Sequence, residues 1–255
     1  MSFSDDEIER YARHLVLAEI GGPGQQRLKA ARVAIVGLGG VGAPAALYLA
    51  AAGVGTLRLI DHDVVGLSNL QRQILFAEAD IGGRKVEAGA ARLDALNPHV
   101  EVETAAERLT PDNAAWLLDG CDLALDGTDD FETRFAVNAA CVAAGVPLVS
   151  GALGRWSGQV GVFAGRSCYR CLVPDPPPDA ETCARVGVVG ALAGVVGSMA
   201  ALEASKLITG AGEPLTGRLL IYDGLAGTAR TASVSADPAC AVCGRGSAPA
   251  ATVSG

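Results

Sequence analysis

The stretch RVAIVGLGGVG, residues 32–42, places the strongest limit on how this chain can fold. It reads as an apolar strand that ends in G-x-G-x-x-G, formed by Gly37, Gly39 and Gly42, and a helix-forming run follows. Gly40 adds another backbone position without a side chain. Between a strand and a helix, such glycines allow a tight turn and let phosphate groups approach the N–H groups of the helix N-terminus. The pattern predicts a nucleotide-binding α/β unit.

The alternation of strands and helices continues after this turn. Strands are predicted at TLRLID, VEVETA, DLALDGT and PLVSGA, and helices around 84–96, 111–118 and 131–144. This order implies right-handed crossovers and a Rossmann-like, mostly parallel sheet with helices on both faces. Later strands at QVGVFA, RLLIYDG and TARTASVS follow one another with fewer helices, which predicts an antiparallel C-terminal extension of the same sheet. The predicted fold class is therefore α/β.

The sequence also predicts how the chain is divided. Residues 1–30 show helical spacing in RYARHLVL, followed by the turn-rich GGPG, and are predicted to form a helical arm. Residues 31–244 hold the α/β domain. The polar and small residues of 245–255 predict a disordered tail.

Composition limits the class of partner and the compartment. A net charge of −8 and a pI near 4.9 argue against a nucleic-acid partner, which would select a basic face. The start MSFSDDEIER is acidic and has no apolar run, so no signal peptide is expected and the protein is predicted to be cytoplasmic. The uncharged run 186–202 is short and rich in glycine and alanine, which favours a buried helix over a membrane span.

Charged residues follow the predicted strands at the edge where open α/β sheets bind ligands. Asp61 ends the second strand about twenty residues after Gly42, the position of a ribose-binding acid. Arg72 and Lys85 could balance phosphate charge, and Asp129 follows DLALDGT, where a carboxylate could bind Mg²⁺. The alternative is that both cations are surface charges and that Asp129 caps the next helix. No nicotinamide site is evident after residue 120.

A combination of motifs connects these residues to a known family. The motifs are GLGGVG, D-x-D followed by LSNLQRQ, Lys85, and D-x-TD at 126–129. With these motifs the chain resembles the MoeB/ThiF/HesA family of ubiquitin-activating-like adenylyltransferases. The resemblance extends from about residue 7 to residue 244. It implies a homodimeric enzyme that uses ATP to adenylate the C-terminal glycine of a ubiquitin-like sulfur-carrier protein ending in Gly-Gly. A separate sulfur donor protein would then complete thiocarboxylate formation.

The resemblance also assigns roles to individual residues. It implies that Asp61 contacts the ribose, that Asp129 binds Mg²⁺, and that Arg13 reaches across a dimer to the partner subunit's ATP. The phosphate contacts that it implies are Ser68, Asn69, Arg72 and Lys85. Further nucleotide contacts are expected at Gly37, Gly39, Gly40, Gly42, Asp63, Gln73 and Asp130. A carboxylate that attacks a phosphate requires preplaced positive charge. The candidate catalytic residues are therefore the three cations Arg13, Arg72 and Lys85, together with Asp129, which would hold Mg²⁺.

One departure from the family pattern affects the expected metal site. The family usually has D-C-T-D-N where this chain has Asp126-Gly127-Thr128-Asp129-Asp130. Asp130 replaces a neutral asparagine and adds a negative charge beside the expected Mg²⁺. We expect this to alter metal affinity without removing the main carboxylate.

Four of the seven cysteines form two distant pairs, Cys168-x-x-Cys171 and Cys240-x-x-Cys243. Thiolates spaced in this way make a closed tetrahedral Zn²⁺ site, with no open position for catalysis. An iron–sulfur cluster is the main alternative. The pattern predicts a structural zinc that holds the C-terminal segment to the loop after residue 164.

The other three cysteines differ in their surroundings. Cys121 and Cys141 lie in or beside apolar segments and are predicted to be buried. Cys183, in ETCAR, aligns with a cysteine that forms a covalent link to the carrier in parts of the family, although an exposed spectator thiol is the alternative.

The identity of the carrier is less constrained than the reaction. GEPLTGRLLIYD and VPLVSGA favour the adenylyltransferase of the molybdopterin-synthase small subunit, whereas RQILF and the short interval from YRCLVPD to TC also resemble the enzyme for the thiamine-pathway carrier ThiS. Two alternatives come from other classes: an NAD-dependent oxidoreductase on the same nucleotide-binding half, and a non-catalytic pseudo-enzyme that only binds a carrier.

Overall fold

The computed structural model describes residues 2–165, 167–176 and 187–244. Its sheet has eight strands in the order β3-β2-β1-β4-β5-β6-β7-β8. The strands are β1 (Arg32–Val36), β2 (Thr56–Ile60), β3 (Glu101–Ala105), β4 (Leu123–Asp126), β5 (Leu148–Leu153), β6 (Ser157–Phe163), β7 (Arg218–Asp223) and β8 (Thr228–Ser233). The pairs from β3 to β5 are parallel and those from β5 to β8 are antiparallel. The predicted fold class is confirmed.

Helices cover both faces of this sheet, as the alternating sequence predicts. They are α1 (Asp5–Arg10), α2 (Ala12–Leu15), α3 (Gly21–Ala30), α4 (Gly42–Ala52), α5 (Lys85–Leu96), α6 (Ala114–Leu117), α7 (Phe131–Ala144), α8 (Tyr169–Leu172) and α9 (Gly190–Thr209). Apolar side chains of α4, α5 and α9 form one core cluster, and those of α6 and α7 form another. The helix expected over 111–118 is only one turn long.

The order of the strands creates the crevice that holds the site. β1 lies between β2 and β4, and the helices that follow β1 and β4 belong to different core clusters. The chain therefore leaves β1 and β4 toward opposite faces, which opens a crevice at their carboxyl ends. Backbone hydrogen bonds continue past the strands on both sides of this crevice: the Gly37 N–H donates to the Ile60 carbonyl at 2.8 Å, and the Gly127 N–H to Val36 at 2.9 Å.

The N-terminal helices differ from the expectation. The helical spacing of residues 5–20 gives two short helices, and GGPG begins α3 rather than forming a turn. These helices pack on their own chain: the Tyr11 hydroxyl accepts a hydrogen bond from Asn97 Nδ2 at 2.9 Å, and Gln25 Nε2 donates to the Ala52 carbonyl at 2.8 Å. The arm is thus docked on the α/β body. The expected tail, 245–255, lies outside the described residues.

The long apolar helix α9 is a core helix. By length and composition it could cross a membrane. It packs, however, against α4, β5 and β6, and a Cβ atom placed on Gly197 would lie 2.3 Å from Pro44 Cγ. Glu203 is buried in this packing and accepts hydrogen bonds from the Leu215 N–H and from Lys206. The expectation of a buried helix is confirmed for the part of the run that the structure describes.

Candidate active site

A cleft of about 320 Å³ opens at the carboxyl ends of β1, β2 and β4. It lies at the point where the strand order reverses, which is where ligands of open α/β sheets bind. Most of the predicted nucleotide contacts line it, namely Gly37, Gly39, Gly40, Asp61, Asp63, Asn69, Arg72, Gln73, Lys85, Asp129 and Asp130. The predicted residues are therefore brought together at one edge of the sheet.

The glycine turn is so tightly folded that two of its positions exclude a side chain. Gly37 has φ +84°, and a Cβ atom placed on Gly42 would lie 1.8 Å from the Gly37 carbonyl oxygen. At Gly39, by contrast, the nearest atom to an added Cβ would be 3.8 Å away. The turn thus closes on itself at Gly37 and Gly42 while leaving open backbone beside the cleft at Gly39. This cradle fits a phosphate group at the start of α4.

The two acidic residues after β2 are held by backbone N–H groups and by Lys85. The buried Asp61 carboxylate accepts hydrogen bonds from the Leu38 N–H at 2.7 Å and the Asp63 N–H at 2.8 Å. Lys85 Nζ lies 2.8 Å from Asp63 Oδ2 and 3.9 Å from Asp61 Oδ2. Burial would raise the pKa of Asp63, but the hydrogen bond and charge of Lys85 outweigh it and lower the pKa. Lys85 is thus already paired with carboxylates, and a bound phosphate would contact an ammonium group that also contacts Asp63.

The SNLQRQ segment supplies a cation and a buried amide. The Arg72 guanidinium donates to the Ser68 carbonyl at 3.0 Å and lines the cleft, whereas the exposed Ser68 side chain does not line it. Asn69 Oδ1 accepts from the Gly66 N–H at 3.0 Å, so this side chain also holds its own turn. Gln73 is 4% exposed, and its Oε1 atom has no hydrogen-bond partner among the described residues. A buried acceptor of this kind fits a donor group on a ligand.

Asp129 and Asp130 have different roles. Asp130 caps α7, where its Oδ1 accepts from the Thr133 N–H at 2.8 Å, and it lies 3.0 Å from Arg108 Nη2. The alternative in which Asp129 is the cap is therefore wrong. Asp129 is exposed to the cleft and forms no ion pair within the described residues, so its carboxylate is free for Mg²⁺. Arg108, which the sequence did not indicate, balances the added charge of Asp130.

The other departure from the family pattern, Gly127, lies in crowded backbone. A Cβ atom placed there would lie 2.8 Å from the Gly42 nitrogen and 3.2 Å from the Gly37 carbonyl oxygen. A cysteine at this position would require the glycine turn or its own loop to shift. Gly127 therefore matches the tight turn of this particular chain.

A buried ion pair beneath the cleft was also not indicated by sequence reasoning. Arg134 lies 3.4 Å from Asp126 and donates to Ser150 Oγ at 3.1 Å, to the Gly151 carbonyl at 2.8 Å and to the Thr128 carbonyl. Burial would lower the pKa of Arg134, but the Asp126 carboxylate raises it above its ordinary value. These contacts fix the loop that presents Asp129. The sequence feature that could have indicated this ion pair is an arginine within the apolar helix 131–144.

The four paired cysteines meet as predicted. Their sulfur atoms all lie within 4.8 Å of one another, with 3.7 Å between Cys168 and Cys240 and 3.3 Å between Cys171 and Cys243. Zn–S bonds of about 2.3 Å place the sulfurs of a tetrahedral site about 3.8 Å apart. The cluster can therefore hold zinc with small adjustments.

The remaining predicted residues lie away from the cleft. Arg13 is exposed on α2 and does not line the cleft of its own chain. Cys121 and Cys141 are buried, as expected, and burial raises the pKa of both thiols. Cys183 lies outside the described residues.

Comparison with known proteins identifies the family. The ThiF family profile matches residues 11–242, nearly the whole chain. The chain belongs to the ThiF family. The resemblance seen in GLGGVG, SNLQRQ and D-x-TD is confirmed.

Several relatives have names that describe an activity. The chain is 47% identical over 245 residues to the probable adenylyltransferase/sulfurtransferase MoeZ of Mycobacterium tuberculosis, covering 93% of this chain and 62% of MoeZ. It is 46% identical to the sulfur carrier protein adenylyltransferase of Thermus thermophilus, covering 96% and 93%. It is 43% identical to the SAMP-activating enzyme E1 of Haloferax volcanii, covering 96% and 92%. The chain thus spans under two thirds of MoeZ but nearly all of the other two.

Solved structures confirm the fold. The crystal structure of E. coli MccB aligns with a TM-score of 0.83 at 24% identity, covering 94% of this chain and 76% of MccB. The structure of PaaA aligns with a TM-score of 0.79 at 27% identity, covering 91% and 75%. Both support the overall fold.

Proposed function

We propose that the protein uses Mg²⁺ and ATP to adenylate the C-terminal glycine of a small ubiquitin-like sulfur-carrier protein. The observation that carries this proposal is the cleft itself, in which a phosphate-sized glycine cradle, two cations and the exposed Asp129 carboxylate converge. The names of the Thermus and Mycobacterium relatives support the same reaction. Because Arg72, Lys85 and Asp129 are all present, nothing in the cleft favours a non-catalytic pseudo-enzyme.

The proposed reaction needs positive charge rather than a protein nucleophile. A carboxylate oxygen of the carrier attacks the α-phosphorus of ATP, a P–O bond forms, and pyrophosphate leaves with the electrons of the bond that breaks. Arg72 and Lys85 stabilise charge that develops on the phosphates, and Asp61 orients the ribose. Bound at Asp129, Mg²⁺ would supply further positive charge to the phosphates. The acyl-adenylate then passes to a sulfur donor protein.

We further propose that the carrier is the small subunit of molybdopterin synthase, with the thiamine-pathway carrier ThiS as the alternative. The strings VPLVSGA and GEPLTGRLLIYD, which include strands β5 and β7, support the first choice. Pyrophosphate exchange into ATP, measured with each purified carrier in turn, tests the choice. An exchange rate that is higher with ThiS would reverse the assignment. A change in NAD(P)H absorbance without exchange would favour an oxidoreductase instead.

The four-cysteine cluster is proposed to hold one structural Zn²⁺ per chain, and the protein is proposed to act in the cytoplasm. Clustered cysteines without disulfides are typical of a reducing compartment, which supports the proposed location. The tight closure of the four sulfurs leaves no open position for substrate.

Arg13 is predicted to act across a homodimer. Its exposure on a helix docked outside the cleft of its own chain leaves it available to a partner subunit. Arg13→Ala and Asp129→Ala chains should each be inactive, and mixing them should restore about half of the activity per heterodimer, since one of its two sites would be intact. Pyrophosphate exchange by isolated heterodimers measures this. No recovery in them would place Arg13 within a single chain.

Cys183 is predicted to be dispensable for adenylation and to take part in sulfur loading. Adenylation needs cations and a metal, to which a thiol contributes nothing, whereas a thiolate can attack the acyl carbon of an acyl-adenylate, expel AMP and hold the carrier as a thioester. Cys183→Ala should therefore keep pyrophosphate exchange within about twofold and lower thiocarboxylate formation at least tenfold, a margin of about 1.4 kcal/mol in the barrier. Mass analysis of the carrier measures the second quantity. Lost exchange in a folded variant would contradict the division, and two unchanged rates would make the thiol a spectator.

A further inference from the structure

The cysteine cluster is connected to the cleft by one buried side chain. Asn138, on α7, is 1% exposed. Its Nδ2 donates to Cys168 Sγ at 3.6 Å, and its Oδ1 accepts from the Tyr169 N–H at 2.7 Å. One amide thus binds both a sulfur of the cluster and the backbone of the residue that follows it.

Tyr169 carries this connection into the cleft. It begins α8, the short helix that follows Cys168 and contains Cys171, and its side chain lines the cleft. Its ring packs edge-on against Phe163, with 5.7 Å between centroids, and the guanidinium carbon of Arg134 lies 5.8 Å from its centroid. The position of Tyr169 is therefore set on one side by the cysteine cluster and on the other by the buried arginine.

Arg134 completes the path to the residue proposed to bind Mg²⁺. It donates to the Thr128 carbonyl and pairs with Asp126, and the Thr128 hydroxyl in turn donates to Asp126 at 2.6 Å. Asp129 follows directly. Every step from Cys168 to the Asp129 loop is thus a hydrogen bond, an ion pair or a ring contact between buried or half-buried groups.

We propose that Asn138 and Tyr169 are positioning residues that couple zinc binding at the cysteine cluster to nucleotide binding in the cleft. Zinc would fix the position of Cys168 Sγ, which accepts a hydrogen bond from Asn138 Nδ2 at 3.6 Å. The amide would then hold the Tyr169 backbone, so that the ring supports Arg134 and the Asp129 loop. Without the metal, α8 loses this anchor. The inference rests on the proposed function, because it requires that the cleft bind a nucleotide.

Coupling between two sites is reciprocal, which makes it measurable from the metal side. Zinc affinity is measured by competition with a chromophoric chelator, with and without Mg²⁺ and a saturating non-hydrolysable ATP analogue. In the unchanged protein the analogue should tighten zinc binding about fivefold or more. In Asn138→Leu, zinc should still bind, but the factor by which the ATP analogue tightens zinc binding should fall to about one. Cys141→Ala is the matched control, since this buried thiol lies on the same helix and should leave the factor unchanged.

The variants separate coupling through this path from a general effect of zinc on folding. If zinc acted only by keeping the chain folded, Asn138→Leu would retain the full factor, and this result would overturn the inference. Should Asn138→Leu fail to fold, Tyr169→Leu keeps the thiols and removes the ring, and it should also reduce the factor to about one. The inference is also contradicted if the wild-type protein binds no zinc, or if the ATP analogue leaves its zinc affinity unchanged. Direct titration with the analogue distinguishes these results from failure of the proposed function, in which no nucleotide binds at all.

Discussion

Asp129→Ala should lower carrier-dependent exchange of pyrophosphate into ATP by about a hundredfold or more while the fold stays intact. Removal of a single group that stabilises transition-state charge has an effect of this size. Asp129 lines the cleft and forms no ion pair in the described part of the chain, whereas Glu107, a second cleft carboxylate without an ion pair there, accepts a hydrogen bond from Asn113. The Asp129 side chain is exposed, so its removal leaves no cavity. Exchange of labelled pyrophosphate at saturating carrier, together with the melting temperature, measures both quantities.

Asp130→Asn is the matched control for this variant. It restores the residue usual in the family, and an asparagine can still cap α7 at the Thr133 N–H. It also removes the closer of the two carboxylates that pair with Arg108, since Glu132 lies 3.9 Å from the same guanidinium. We expect exchange within about threefold of the unchanged protein, since partly exposed ion pairs contribute only about 0–1 kcal/mol. Equal losses in the two variants would show that the loop, rather than the Asp129 carboxylate, was disturbed.

Cys171→Ser should release the zinc and lower the free energy of unfolding by about 4 kcal/mol or more, the range in which loss of a structural metal falls. The cluster joins α8 to the segment after β8, and that segment has little other packing within the described residues. The nucleotide site should be affected less. Because coupling through Asn138 is of the order of fivefold, nucleotide affinity should fall by about 1 kcal/mol.

Cys121→Ala serves as the control for the zinc variant, since this buried thiol lies outside the cluster. It should keep one zinc per chain and lose about 1 kcal/mol of stability, typical of a small buried substitution. Elemental analysis of protein purified without chelators, together with denaturant unfolding, provides the comparison. Iron in place of zinc would identify the alternative cluster, and a Cys171→Ser variant that keeps its zinc would contradict the ligand set.

The sequence predicted the sheet and the location of the site because the signals for both are local. The period of RVAIVG and TLRLID, together with the glycine spacing, defines parallel strands, and parallel strands bring their carboxyl ends to one edge. The cysteine cluster was predictable for a similar reason. Two Cys-x-x-Cys pairs in one chain are typical of a metal site, because their four thiolates can complete a tetrahedral ligand set.

The sequence did not predict contacts between distant loops. Arg108 and Asp130 are far apart in the chain, and only the fold shows that they pair. Arg134 would be expected on a helix surface, yet it lies buried because Asp126 and Ser150 meet it at the end of the sheet. The GGPG segment was misassigned because glycine and proline favour turns, whereas here proline occupies the first helical turn, where its missing N–H has no cost.

We propose that this cleft forms an acyl-adenylate on a carrier C-terminus. The most direct test incubates the protein with Mg²⁺, ATP and a purified carrier ending in Gly-Gly, without a sulfur donor, and measures the intact mass of the carrier. We expect an AMP adduct on the carrier and none when its final glycine is deleted or when the enzyme carries Asp129→Ala. A carrier of unchanged mass in the presence of enzyme that demonstrably binds ATP would contradict the proposed adenylation.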